Sequence, residues 1–321
     1  TYVGLNSSGV AGDDPRPVLD GTLHINTNCY EDTAIMLQEY FNRLVLNITG
    51  EYFIRFTDPI VLARVLGLWD VNGDSGLTQS EANLVTSIPD NFMSASVNTE
   101  YANITTLTGF ESFKNCTVIG QNAFYNTGIT GELILPPNVK TIGFSAFIGT
   151  KITRVNLPDS CTWLATSGST SYFPFYNCSE LEEFTMRNLV FPSTSNPAVV
   201  MNLGFSECTN LKKVAIDVID YTGNGNFSGS SSNAIPPFSG CSKLEVLDIG
   251  EFKGYVNSLG YRAFYGTPVT AVNLPSNFIK LIYQDIYRNC TNLRVIVFRG
   301  EVEQIPMNCF TEDSSLQAFL C

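Results

Sequence analysis

Two stretches of this chain are nearly identical. AFIGTKITRVNLP runs from Ala146 to Pro158, and AFYGTPVTAVNLP runs from Ala263 to Pro275, 117 positions later. A catalytic motif is seldom needed twice, whereas a structural unit that stacks on copies of itself is needed many times. Aligning on the aromatic of these stretches uncovers a column: Phe124, Phe147, Phe175, Phe205, Phe238, Phe264, Tyr287 and Phe310, spaced by 23, 28, 30, 33, 26, 23 and 23 residues. The base period is 23, lengthened by insertions in the middle of the array.

Other columns follow the aromatic. Five residues before it stands Ile119, Ile142, Val200, Leu259, Ile282 or Ile305 in six of the eight units. Three residues after it stands Thr127, Thr150, Cys178, Cys208, Cys241, Thr267, Cys290 or Asp313. After a Cys the next apolar residue comes three positions on (Leu181, Leu211, Leu244, Leu293); after a Thr it comes two positions on (Ile129, Ile152, Val269). Chance does not couple two such choices. Each unit continues into an alternating stretch, such as ITRVNLP, LEEFTMR, LKKVAID, LEVLDIG or LRVIVFR. Period-two alternation marks a half-buried strand, and the proline after several of them ends it. One strand per repeat, stacked in register, builds a parallel sheet along a solenoid.

The stretches VIGQNAFYNTGI, TIGFSAFIGTKITRVNLPDS, LGYRAFYGTPVTAVNLPSNF and YRNCTNLRVIVF resemble the BspA-like class of leucine-rich repeat, over roughly residues 110–321. The resemblance implies an α/β leucine-rich-repeat solenoid with a parallel β-sheet, exposed on a bacterial cell surface and acting in ligand binding or adhesion.

The cysteines fit the repeat. Of nine, Cys178, Cys208, Cys241 and Cys290 occupy the slot that Thr fills elsewhere, so they read as small buried side chains rather than as disulfide or metal partners. Cys29, Cys116, Cys161, Cys309 and Cys321 lie off that slot, and their state is left open.

A second motif precedes the repeats. DVNGDSGLTQSE, from Asp70 to Glu81, follows the twelve-residue calcium loop: Asp70, Asn72 and Asp74 at positions 1, 3 and 5, the Gly76 carbonyl at 7, Thr78 at 9 and Glu81 at 12. Hard oxygens at that spacing converge on a hard cation. Ser75 stands where the loop normally has glycine for its turn, and the alternative is a helix-loop-helix shape with no ion. Asp58-Pro59 reads as an N-cap before an entering helix PIVLARVLGLW, and TQSEANLVTSI reads as the exiting helix. The segment is similar to those that precede the repeats in BspA-like proteins, which implies a structural helical cap. Upstream, GTLHINT reads as a strand, Tyr30–Leu46 as a helix and GEYFIRF as a further strand. The expected organisation is a small α/β segment over 1–56, a helix-loop-helix cap over 57–100 and about eight repeats over 101–321.

Composition narrows the function. A net charge of −12 argues against nucleic acid and anionic lipid as partners, which call for clustered Lys and Arg. The single histidine, His24, and the lack of a nucleophile motif leave no catalytic constellation, so no enzyme is expected. No apolar run is long enough to cross a membrane, and an export leader is expected upstream of Thr1. The expected function is non-catalytic binding outside the cell, to a host protein or another cell. The alternatives are a polysaccharide-binding accessory module and a structural spacer. Two surfaces are candidates. One is the outward sheet face, with Arg154, Arg187 and Lys213 among its charged residues. The other is a set of three consecutive insertions, Thr166–Phe173, Asn188–Val200 and Asp220–Pro237, which carry Tyr172, Tyr221 and Phe227.

Overall fold

The computed structural model describes residues 21–25, 30–32, 35–36, 44–48, 51–164, 173–191, 204–221, 238–254, 264–274, 285–299, 305, 308–312 and 315–320. At the N-terminal side, β1 (Gly21–Ile25) pairs in parallel with β2 (Leu44–Ile48), and helical residues 31–32 and 35–36 lie on the crossover. The helix expected over Tyr30–Leu46 therefore ends early. LVLNI finds a partner strand in GTLHI, and ladder pairing overrides local helical spacing. Among the described residues GEYFIRF forms isolated bridges rather than a continuous strand, with Phe53 pairing antiparallel to Thr78.

The entering helix α1 (Pro59–Trp69) forms as expected. One Asp58 oxygen accepts from the Ile60 and Val61 N–H groups at 2.9 and 3.3 Å, and the other accepts from Thr105 N–H at 3.0 Å. The buried cap thus closes its own helix and ties it to a segment 47 residues away. The exiting helix α2 (Gln79–Ala82) is one turn long, held by a capping box between Thr78 and Glu81. It stops short of the expected Ile88 because β3 (Ser87–Ile88) is drawn into a sheet.

Next come β4 (Val118–Ile119), β5 (Thr130–Glu132), β6 (Thr141–Ile142), β7 (Lys151–Asn156) and β8 (Trp163–Leu164), then β9 (Glu183–Phe191), β10 (Lys213–Tyr221), β11 (Val246–Gly254), β12 (Ala271–Leu274), β13 (Val295–Phe298) and β14 (Ala318–Leu320). Among the described residues these strands make two parallel sheets. The longer has the order β14-β13-β12-β11-β10-β9-β7-β5; the shorter, β3-β4-β6-β8, aligns Ile119 and Ile142, the apolar residues five before Phe124 and Phe147, with Ile88 and Leu164. The alternation predicts the first sheet. The second has only two-residue rungs, too short to alternate, and stays invisible until the coils stack.

Between the sheets runs an aromatic spine. Phe124 stacks on Phe147 at 5.3 Å between ring centroids and Phe147 on Phe175 at 5.5 Å, with planes 12° and 4° apart. Phe205, Phe238, Phe264, Tyr287 and Phe310 continue it at 5.1–6.0 Å, and Phe184 meets Phe175 and Phe205 edge-on. Each stacked pair adds about 0.5–1.5 kcal/mol beyond the burial of its area. At the other end Trp69 of α1 stacks on Phe92 at 5.2 Å, so the cap shares the solenoid core.

The spine explains the two repeat variants. In Thr units the Thr127, Thr150 and Thr267 hydroxyls donate back to the carbonyl of their own aromatic, at 3.0, 2.9 and 2.8 Å. In Cys units the thiol donates instead to the aromatic carbonyl of the preceding coil: Cys178 to Phe147, Cys208 to Phe175, Cys241 to Phe205 and Cys290 to Phe264, at 2.9–3.2 Å. A second turn then follows, with the N–H of Leu181, Leu211, Leu244 and Leu293 donating to the cysteine carbonyl. That turn takes one more residue, which is why the apolar position moves from two to three after the slot. The residue two past the aromatic has positive φ in every unit, at Asn126, Gly149, Asn177, Glu207, Gly240, Gly266, Asn289 and Glu312. Asn and Gly are the residues that accept that conformation most readily, so the recurring Asn-Cys and Asn-Thr pairs are conformational in origin.

Candidate binding face

The outward face of the longer sheet is built from residues that alternate with the core. Register places Glu132, Arg154, Glu183, Lys213 and Val246 side by side across β5, β7, β9, β10 and β11. The charges in this row alternate in sign. Glu183 holds both cations, with Arg154 Nε at 3.0 Å and Lys213 Nζ at 3.3 Å. The hydrogen bond from Lys213 is the main cause holding the Glu183 carboxyl below its ordinary range, with the charges of Lys213 and Arg154 adding to it. Just before these strands a parallel row holds Glu182, Lys212 and Glu245, in which Lys212 pairs with Glu182 at 3.1 Å. Pairs this exposed contribute little to stability; they give the surface its chemical character. The two rows line an open groove of about 490 Å³.

A second hollow of about 320 Å³ follows along the same sheet, lined by Asn156, Asp159, Thr185, Arg187, Asp217 and neighbouring apolar residues. Arg187 pairs with Asp159 there, and Thr185 donates to Asn156 Oδ1 at 2.8 Å. The structure therefore brings Arg154 and Lys213 together through Glu183 and leaves Arg187 in the neighbouring hollow. Glu132, Glu182, Lys212 and Glu245 were missed by sequence reasoning. The signal lay in the doublets Glu182-Glu183 and Lys212-Lys213, opposite in sign and one coil apart.

The expected aromatic insertions fare differently. Tyr172 and Phe227 lie outside the described residues. The backbone of Tyr221 ends β10, paired with Phe191 and Gly254, so the segments beginning at Asn188 and Asp220 start as strand rather than loop. Phe173, placed at the end of the first insertion, is fully buried against Phe205. The nine-residue strands β9 and β10 run into segments expected to be loops, and β11, of the same length, extends the widened sheet.

The Asp70–Glu81 loop is ordered by its own oxygens. Asp70 accepts from the N–H groups of Gly73, Asp74 and Ser75 at 2.8–3.2 Å, Asn72 accepts from Asp74 N–H, and Asp74 accepts from Gly76 N–H. Ser75 adopts the left-handed turn that position 6 demands, with φ of 68°. The Ile54 N–H donates to the Leu77 carbonyl at 2.7 Å, so the segment before α1 pairs with this single loop. Glu81 is buried, and its oxygens accept from Val71, Asn72 and Thr78. No group of three or more His, Cys, Asp or Glu side chains is gathered for a metal among the described residues. The donor types nevertheless suit a hard cation: three carboxylates, an amide oxygen and a hydroxyl in loop order.

The thiols are withdrawn from chemistry. Cys116, Cys178, Cys208 and Cys241 are buried and unbridged. Burial pushes Cys178 up to about 11, Cys241 up to about 12 and Cys208 well above the ordinary range. Cys161 and Cys309 are buried as well, while Cys29 and Cys321 lie outside the described residues. No helix among the described residues is long and apolar enough to cross a membrane.

Residues 95–232 and 236–320 match the BspA type leucine-rich repeat region, in six copies. Three solved structures are similar. A leucine-rich repeat protein from Bacteroides ovatus is 20% identical with a TM-score of 0.39; the match covers 64% of this chain and 53% of that one, so this chain spans about half its length. A leucine rich cell surface protein from Faecalibacterium prausnitzii is 16% identical with a TM-score of 0.25, over 74% of this chain and 83% of that one. A leucine-rich repeat protein from Eubacterium ventriosum is 16% identical with a TM-score of 0.30, over 93% and 73%. No curated protein matches the chain.

Proposed function

The chain belongs to the BspA-type leucine-rich-repeat family, and from that premise we propose that it is a non-catalytic binding protein of the bacterial cell surface. Its partner is a protein, met through the outward face of the longer sheet in adhesion to a host protein or another cell. Leucine-rich-repeat solenoids are in general binding modules, and a similar chain is described as a cell surface protein. The observation that carries the reading is the outward sheet face, where the groove over β5, β7, β9 and β10 and the neighbouring hollow that contains Asp217 present polar and charged side chains on strands or at their first residues. Side chains held by a ladder lose little freedom on binding, which favours specific contact.

The test is a solid-phase screen of residues 1–321 against purified matrix proteins and polysaccharides. The expected result is saturable binding to a protein, weakened about tenfold or more by Asp217→Arg on the sheet face. Lys140→Glu, an exposed change outside both hollows, should leave binding unchanged. Binding to a polysaccharide alone, to nothing, or with indifference to Asp217→Arg would overturn the reading.

We also propose a structural calcium ion on the Asp70–Glu81 loop. Asp70, Asn72, Asp74, Thr78, Glu81 and the Gly76 carbonyl would hold it, and its charge would tie α1 to α2. This chain's residues already supply the turn at Ser75 and the Leu77 pairing.

A further inference from the structure

The charges of the sheet groove do not balance. Its three cations are all engaged: Arg154 and Lys213 with Glu183, and Lys212 with Glu182. Its four carboxylates include two more, Glu132 and Glu245, both exposed and neither in an ion pair among the described residues. They stand at opposite ends, on β5 and immediately before β11. From β5 to β11 the sheet takes four strand steps, through β7, β9 and β10, which is about 19 Å at ordinary strand spacing. The middle sets three cations against two carboxylates, since Arg154 and Lys213 share Glu183, so it carries a net charge of +1 and favours neutral residues over further cations. The ends each offer an unanswered negative charge, on a chain whose net charge is −12.

Resting on the sheet-face reading above, we infer that this groove takes an extended segment of a partner protein carrying two basic residues about six positions apart. An extended chain rises about 3.3 Å per residue, so six residues span about 20 Å, which matches the distance between the two ends. A lysine or arginine at each end would meet Glu132 and Glu245, and neutral polar residues between them would lie over the paired charges. Val246, 45% exposed beside Glu245, adds an apolar contact for the stem of the cation at that end.

The test uses residues 1–321 and two short acetylated, amidated peptides of equal length and charge. One carries lysines six positions apart with serine and threonine between; the other carries the same lysines adjacent. The spaced peptide should bind about two- to fivefold more tightly at low salt, since it makes one more exposed ion pair than the adjacent one, and the gain should shrink as salt is raised. The double variant Glu132→Gln/Glu245→Gln should lose this preference. Glu100→Gln/Glu251→Gln removes the same charge outside the groove and should keep it. Equal binding of the two peptides, or equal loss in both double variants, would reduce the effect to diffuse attraction by an acidic protein and overturn the inference. If a protein partner is found whose binding depends on Asp217 while the peptides are indifferent to spacing, this inference falls and the sheet-face reading stands. If no protein binds at all, it is the sheet-face reading that falls.

Discussion

Replacing Tyr287 by Phe should stabilise the protein. Tyr287 is the one tyrosine in a spine whose other seven members are phenylalanine. Its ring is fully buried and stacks on Phe264 at 5.1 Å and on Phe310 at 5.3 Å, but its hydroxyl makes no hydrogen bond among the described residues. A buried hydroxyl without a partner costs about 1–3 kcal/mol, and the phenylalanine ring keeps both stacking contacts. The expected gain is therefore about 1 kcal/mol or more, read as a higher urea midpoint at unchanged slope. Amide exchange in β13 and β14 should slow as well, because each coil of a solenoid is stabilised by its neighbours. The converse variant, Phe147→Tyr, would bury a hydroxyl between Phe124 and Phe175 and should cost a similar amount. The effect also depends on pH. Burial holds the Tyr287 phenol well above its ordinary value of 10, so the folded state keeps the proton that the unfolded chain loses. Wild-type stability should fall as pH rises past 10, and Tyr287→Phe should lose that part of the decline. A Tyr287→Phe protein destabilised by more than about 0.5 kcal/mol would refute the reasoning, because it would mean that the hydroxyl has a partner worth more than its burial costs.

Three further outcomes are expected. Asp58→Ala should cost about 1–2 kcal/mol, since it removes a helix cap and the tie to Thr105 together, and Asp58→Asn should recover part of it; urea midpoints decide this. Cys178 and Cys241 should resist alkylation at pH 8 in the folded protein and react on unfolding. Their folded-state values of about 11 and about 12 also mean that stability held below pH 9 is lost as pH rises towards those values; thiol counting with and without denaturant tests the first statement, and alkaline melting the second. Calcium should raise the melting temperature and Glu81→Gln should abolish the rise; no shift on adding calcium to the wild type, or the same rise in both proteins, would remove the ion from the loop.

The columns of the repeat were legible because each is a local requirement repeated coil after coil. The aromatic fills the interior, Thr or Cys answers an aromatic carbonyl, and Asn or Gly takes the left-handed corner. The link between slot and spacing could be read as a pattern, yet its cause could not. A thiol that reaches the preceding coil is a contact between residues 26–36 positions apart. Asp58 and its Pro59 partner announced α1 for the same local reason, a side chain closing the turn it begins. The failures share a cause too. Leu44–Ile48, Ser87–Ile88 and the outer parts of β9 and β10 became strands because another strand was available to each.

The candidate groove divides in the same way. Arg154 and Lys213 could be placed on the outward face by alternation, since period two is a property of the strand itself. That they converge on Glu183, and that Glu132 and Glu245 are left over at the ends, is set by register between strands that lie 29, 30 and 33 residues apart. By itself the sequence determined the repeat, the sheet and the entering helix, because short-range sterics and hydrogen bonding dictate them. The second sheet, the widened platform and the pairing of its charges were decided by tertiary structure, because each depends on which coil lies beside which.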